Sequence, residues 1–221
     1  GTTLFPQPGV ADAYAAAGQK LGVPLAAAEI VRRFELAFAR QEDADVVTGQ
    51  VTSEARERER WQTIVNDVFG ESTTPELFDM LWDHFARPDN WRVYDDVPGV
   101  WETLEGLGIP RYVASNFDAR LNQVCRGLPP LDTCSQVFVS SLLGARKPGL
   151  EFFRQVQRTL DLEPERILMV GDGRTNDFDP ALAAGWQAVL VARHSPGQYQ
   201  QVHERGWIVG SLAQLPAVIG S

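Results

Sequence analysis

The stretch Ile167-Leu168-Met169-Val170-Gly171-Asp172-Gly173-Arg174-Thr175-Asn176-Asp177 decides how this chain is read. Four consecutive apolar residues predict a strand buried on both faces, as in a parallel sheet covered by helices. The strand stops at a glycine and gives way to a polar loop carrying two carboxylates. In an open parallel sheet, ligands bind beyond the carboxyl ends of the strands. The loop is therefore a place for chemistry.

Working outward, short β-rich runs recur at 111–115, 136–140, 167–171, 188–192 and 207–209. A helix is expected from Pro98 to Leu107, and helical segments near 118–127, 149–161, 180–184 and 197–205 separate the strands. A final helix is expected near 211–219. Strands alternating with helices predict βαβ units and a parallel sheet. Residues 10–91 read as helices only. Trp61, Ile64, Val65, Val68 and Phe69 form one apolar stripe, and Thr74 followed by Pro75 reads as an N-cap with proline in the first turn. The expected fold is an α/β, Rossmann-like parallel-sheet core from residues 1–9 and 92–221, with an all-α bundle over residues 10–91. The bundle's aromatics read as its core. The run Arg56-Glu57-Arg58-Glu59-Arg60 reads as a solvated helix face, with Glu54 and Arg58 a weak i, i+4 pair. Asp179 before Pro180 reads as a structural N-cap.

The composition is that of a globular protein: 221 residues, 44% hydrophobic and 22% charged. This excludes collagen-like, disordered and coiled-coil classes. A net charge of −9 repels phosphate backbones and anionic lipids, so neither nucleic acid nor a membrane is an expected partner. Two cysteines, Cys125 and Cys134, make no disulfide scaffold. They are expected to be reduced, and the compartment cytoplasmic.

Three successive strands end in groups fit for one task. The first leads into Ser115-Asn116, with Asp118 opening a helix. The second leads into Arg146-Lys147-Pro148, and the third into Asp172 and Asp177. A hydroxyl, an amine and paired carboxylates point to phosphoryl transfer. Ser115 offers a hydrogen bond to a phosphate oxygen, Lys147 neutralises a phosphoryl group, and Asp172 with Asp177 suits Mg²⁺. Gly171 and Gly173 allow close backbone approach. Ser115 also reads as a plain helix cap, and the aspartates as ordinary loop carboxylates. Lys147 is harder to set aside, because the chain holds 20 basic residues of which only Lys20 and Lys147 are lysines. His84, His194 and His203 fall into no metal-ligand spacing.

Taken together, these residues resemble the haloacid dehalogenase-like hydrolase superfamily. Ser115 is similar to its second motif, Lys147-Pro148 to its third, and Gly171-Asp172 with Asn176-Asp177 to its fourth. The resemblance implies a Mg²⁺-dependent phosphatase acting on a small phosphorylated metabolite through an aspartyl-phosphate. It gives Ser115, Lys147 and Asp177 catalytic roles, Ser115, Asn116 and Lys147 the substrate, and Asp172 and Asp177 the metal. It makes residues 10–91 a helical cap whose loops, such as Asp45–Ser53, choose the substrate. Gly1-Thr2-Thr3-Leu4-Phe5 resembles the tail of the first motif. The expectation is that the nucleophilic Asp and its strand precede Gly1, and that the 221 residues alone are inactive. Two alternatives stand beside this reading. One is a metal-free 2-haloacid dehalogenase, against which Asp172 argues. The other is a non-catalytic binding protein that kept the fold.

Overall fold

The computed structural model describes residues 1–195 and 197–220; Pro196 and Ser221 lie outside the described residues. The chain opens with strand β1 (Leu4–Pro6) and then runs through four helices. These are α1 (Val10–Lys20), α2 (Ala27–Val47), α3 (Glu54–Phe69) and α4 (Pro75–His84). The capping logic of the sequence is visible here. The Ser53 hydroxyl accepts from the Arg56 N–H at 3.1 Å, and Thr74 accepts from Leu77 at 3.2 Å with Pro75 in the first turn. Tyr14, Ile30, Val65, Val68, Leu77 and Leu81 bury the bundle's inner faces as a cluster of their own.

The chain returns as β2 (Trp91–Val93), antiparallel to β1, a pairing that the sequence reading did not foresee. There follow α5 (Val97–Gly106), β3 (Tyr112–Ser115), α6 (Arg120–Arg126), β4 (Gln136–Val139), α7 (Ser140–Leu143) and α8 (Leu150–Leu160). The last part comprises β5 (Leu168–Gly171), a single π-helical turn over Arg174–Phe178, α9 (Asp179–Ala183), β6 (Gln187–Val191), β7 (Tyr199–His203), β8 (Gly206–Val209) and α10 (Leu215–Ile219). β3 pairs with β4, and β5, β6 and β8 pair in that order, all parallel. Asp179 begins α9 rather than capping it, and it lies 3.6 Å from Arg174.

The strands read as continuously apolar because each alternates between two buried faces. Val170, Val189 and Val191 pack into the cluster around Trp101, Val124 and Leu131. Met169, Ala188 and Leu190 pack on the other side with Phe152, Phe153 and Trp186. Among the described residues β3 and β5 belong to separate sheets. Both line a cavity of about 1080 Å³.

Two more expectations are overturned. The segment 197–205 is not a helix: its residues 199–203 form the edge strand β7, antiparallel to β8. All five are exposed, so no apolar period marks them, and pairing to β8 sets their conformation. The charge run on α3 is not a solvated face. Glu57 and Arg60 are 3% and 1% exposed. Arg60 is bound by Asp45 and Glu42 of α2, and Arg56 meets Asp45 at 3.0 Å. Arg58 pairs with Asp79 at 3.0 Å instead of Glu54, and Glu54 accepts from the Ala119 N–H at 3.0 Å and from Ser141. Among the described residues no helix is long and apolar enough to cross a membrane.

Candidate active site

The parallel strands bring Ser115, Lys147, Asp172 and Asp177 to the same cleft. Lys147 is held on several sides. Its ammonium donates to Asp177 Oδ1 at 2.5 Å and to the Ala114 carbonyl at 3.2 Å, and both side chains of the ion pair are 9% exposed. A primary ammonium buried this deeply needs that carboxylate. The backbone of Lys147 is held as well. The Asn116 amide accepts from the Lys147 N–H and donates to the Lys147 carbonyl, each at 2.8 Å. The side chain of Asn116 thus fixes the loop that carries Lys147.

Gly171 makes this arrangement possible. A Cβ at that position would lie 2.3 Å from the Asp177 Cβ, so only glycine lets the π-helical turn fold back against the strand. Asp177 Oδ2 in turn accepts the Gly173 N–H at 3.0 Å.

Asp172 is the more open carboxylate, with 45% of its side chain exposed. Thr2, which the sequence reading did not single out, holds it from both sides. The Thr2 hydroxyl donates to Asp172 Oδ1 at 2.8 Å and accepts from the Asp172 N–H at 3.0 Å. The Gly1 amino group lies 3.3 Å from the other oxygen. Partial burial works against the charge on Asp172, and the Thr2 hydroxyl favours it. Gly1-Thr2 therefore lies at the edge of this cleft, as its resemblance to a first-motif tail implies.

Among the described residues, no three His, Cys, Asp or Glu side chains gather into a metal-binding group. The donor set still fits Mg²⁺, which takes one or two carboxylates together with substrate phosphate oxygens and waters. Asp172 is accessible for direct contact, whereas Asp177 is engaged by Lys147.

The cap loops also find their place. Residues 45–47 end α2, and the following turn grips the loop of Lys147. Gln50 accepts from the Arg146 N–H at 2.9 Å, and Val51 bridges to Ala145. Arg146 reaches Glu42 at 2.9 Å and also binds Asp45.

A core of parallel strands with the reactive groups at their carboxyl ends, under a helical bundle, defines a Rossmann-like hydrolase. The sequence profile of the haloacid dehalogenase-like hydrolases matches residues 1–185, and the chain belongs to that family. It is 26% identical to the haloacid dehalogenase-like hydrolase domain-containing protein 3 of Danio rerio, over 98% of this chain and 91% of that one. Among solved structures, the L-2-haloacid dehalogenase from Xanthobacter autotrophicus superposes with a TM-score of 0.72 at 16% identity, covering all of this chain and 95% of its own. The HAD phosphatase from Thermococcus onnurineus superposes at 0.65 with 21% identity, covering all of this chain and 94% of its own. These two share the fold but are named for different reactions, so the fold alone does not choose between them.

Proposed function

We propose that the protein is a Mg²⁺-dependent phosphatase that hydrolyses phosphate monoesters of small metabolites through an aspartyl-phosphate. The observation that carries this reading is the exposed Asp172 carboxylate beside a buried Lys147–Asp177 pair. A metal-free dehalogenase has no use for a second, accessible carboxylate at that position. In this reading Ser115 donates to a phosphoryl oxygen, helped by the backbone at Asn116. Lys147 neutralises charge on the phosphoryl group and the attacking carboxylate. Asp177 holds Lys147 in place through their ion pair. Asp172 would hold Mg²⁺ directly, with Asp177 behind it orienting Lys147 or a metal-bound water, and the ion would supply further positive charge to the phosphate. The attacking aspartate belongs to a strand that fills the gap between β3 and β5 and leads into Thr2, and residues 10–91 act as the cap that closes over the substrate. The substrate is a small molecule, and neither nucleic acid nor a membrane takes part. The setting is a reducing, cytoplasmic one, in which Cys125 and Cys134 stay free thiols.

The test measures phosphate release from a panel of phosphate monoesters, and chloride release from 2-chloropropionate, with and without chelator. The protein used carries an aspartate-bearing strand ahead of Gly1. Phosphate release that stops with chelator and weakens in Asp172→Asn is expected. Chelator-insensitive chloride release would establish the dehalogenase instead, and neither activity would leave the non-catalytic binding protein.

A further inference from the structure

The helical bundle holds a second cavity, of about 250 Å³, with an almost wholly apolar and aromatic wall. The sequence reading put these rings in solid core. Phe34, Phe38, Trp61 and Trp82 are only half-buried and line this open space instead. Phe34 stacks on Phe38 at 5.9 Å and on Trp61 at 6.5 Å between centroids. An apolar cavity of roughly 150 Å³ takes up benzene, so this one has room for a ring with a short substituent.

The chamber adjoins the catalytic cleft. Pro6, Trp91 and Phe117 line both. Phe117 follows Ser115 by two residues, and Pro6 ends the β1 segment that begins beyond Thr2. A phosphate held by Ser115 and Lys147 therefore has an aromatic chamber beside it on the side of the helices.

The chamber's polar groups define what fits. Arg120 is the one charged residue in its wall, and its charge is already matched. It makes two 2.7 Å hydrogen bonds to Asp118, donates to the Trp82 carbonyl at 2.8 Å, and lies 3.4 Å from the Trp82 ring centroid. It is a fixed wall rather than a free anion receptor. The Trp61 indole N–H is buried without a partner among the described residues, and the rest of the wall is almost wholly apolar. A sugar would bury several hydroxyls with nothing to pair them, whereas an aromatic ring meets aromatic faces.

We infer that this chamber binds the organic part of the substrate, making the protein selective for phosphate monoesters of compact, uncharged aromatic alcohols. This inference rests on the phosphatase reading, so its test separates the two. Inorganic phosphate, methylphosphonate, benzylphosphonate and benzyl alcohol are titrated calorimetrically, with Mg²⁺, into the protein carrying the aspartate-bearing strand ahead of Gly1. Two variants are run beside it: Val10→Trp, which fills the chamber from its half-buried wall, and Phe38→Ala, which removes a stacking face.

Benzylphosphonate is expected to bind at least about tenfold more tightly than methylphosphonate, the discrimination an apolar pocket gives for a small apolar group. Both variants should erase that preference and leave inorganic phosphate binding unchanged. Phosphate binding with no preference for benzylphosphonate overturns the aromatic chamber alone. So does a preference that survives both variants in folded protein. Failure of phosphate and both phosphonates to bind, with benzyl alcohol still bound, overturns the phosphatase reading and with it the substrate class.

Discussion

At the scale of single residues, Lys147 is held by three independent contacts: the Asp177 carboxylate, the Ala114 carbonyl and, through its backbone, the Asn116 amide. A group fixed that closely acts through its charge at one point. Lys147→Met in the strand-completed protein should lower kcat by about 10²–10³, the usual loss when one preorganised charge or donor is removed. Turnover of an aryl phosphate measures it, and circular dichroism confirms the fold. A fall below tenfold would remove Lys147 from the chemistry. A second residue-scale expectation concerns the thiols. Burial first, and then neighbouring Cys134, push the Cys125 thiol up to about 12. Since only the thiolate is nucleophilic, native protein at pH 8 should take up almost no iodoacetamide at Cys125, while urea-unfolded protein takes it up readily. Peptide mass mapping reads both.

At the scale of elements, what the sequence revealed followed from local pattern, and what it hid was set by partners far along the chain. Strands β3, β4, β5, β6 and β8 announce themselves because each has apolar residues on both faces. Ser115, Lys147, Asp172 and Asp177 were legible because strand ends are where such a sheet gathers its chemistry. β7 carries no apolar period and exists because β8 offers it an edge. Thr2 and Asp172 are 170 positions apart, and no spacing rule joins them. The alternating charges of α3 look the same whether solvated or buried, because their burial depends on Asp45 and Glu42 of the preceding helix. That misreading concealed a joint: Asp45 binds Arg60 of α3 and Arg146 of the Lys147 loop, with Arg56 at 3.0 Å. Burial pulls the pKa values of Arg60 and Arg146 down, and the neighbouring carboxylates oppose that pull. Asp45→Ala leaves two buried guanidiniums short of their shared carboxylate, at a cost of about 3–5 kcal/mol. Urea denaturation should show that loss, whereas a shift below about 1 kcal/mol would mean that the pairs form no joint. Gly171→Ala fails for a different reason. Its methyl group would displace Asp177, so activity should drop by far more than stability does.

At the scale of the whole molecule, two features tie distant parts together. Asp96, just before α5, accepts from Arg193, from the Ser211 hydroxyl at 2.8 Å and from the Leu212 N–H at 2.9 Å, and Arg193 also reaches the Thr2 carbonyl at 2.7 Å. Partial burial resists ionisation of Asp96, but these donors together hold its carboxyl below the usual range. A depressed carboxyl stabilises the fold above the unfolded value of about 3.9 and loses that contribution as pH falls through the lower folded value. Asp96→Asn should therefore cost about 1–3 kcal/mol at pH 7, and the gap in Tm to the parent should close below about pH 4. An unchanged gap at low pH would locate the effect in packing instead. The second feature is the space between β3 and β5. Two strands that share no ladder border a cavity of about 1080 Å³ whose walls include Val113, Leu168, Val170, Val97 and Trp101. Facing backbone edges need hydrogen-bond partners, and apolar walls of this kind are stabilised by burial. One apolar strand running parallel to both neighbours meets both needs, and an aspartate at its carboxyl end arrives beside Lys147. Extending the protein ahead of Gly1 by such a strand should raise Tm by several degrees, because each 1 kcal/mol shifts a chain of this size by about 2–4 °C. The same extension should switch on Mg²⁺-dependent hydrolysis of p-nitrophenyl phosphate, and the 221 residues alone should stay at background. The control replaces the new aspartate with asparagine. It should keep the gain in Tm and lose the turnover, which separates filling the sheet from supplying the nucleophile. Turnover by the unextended chain equal to that of the extended one would show that the attacking group lies elsewhere in the cleft.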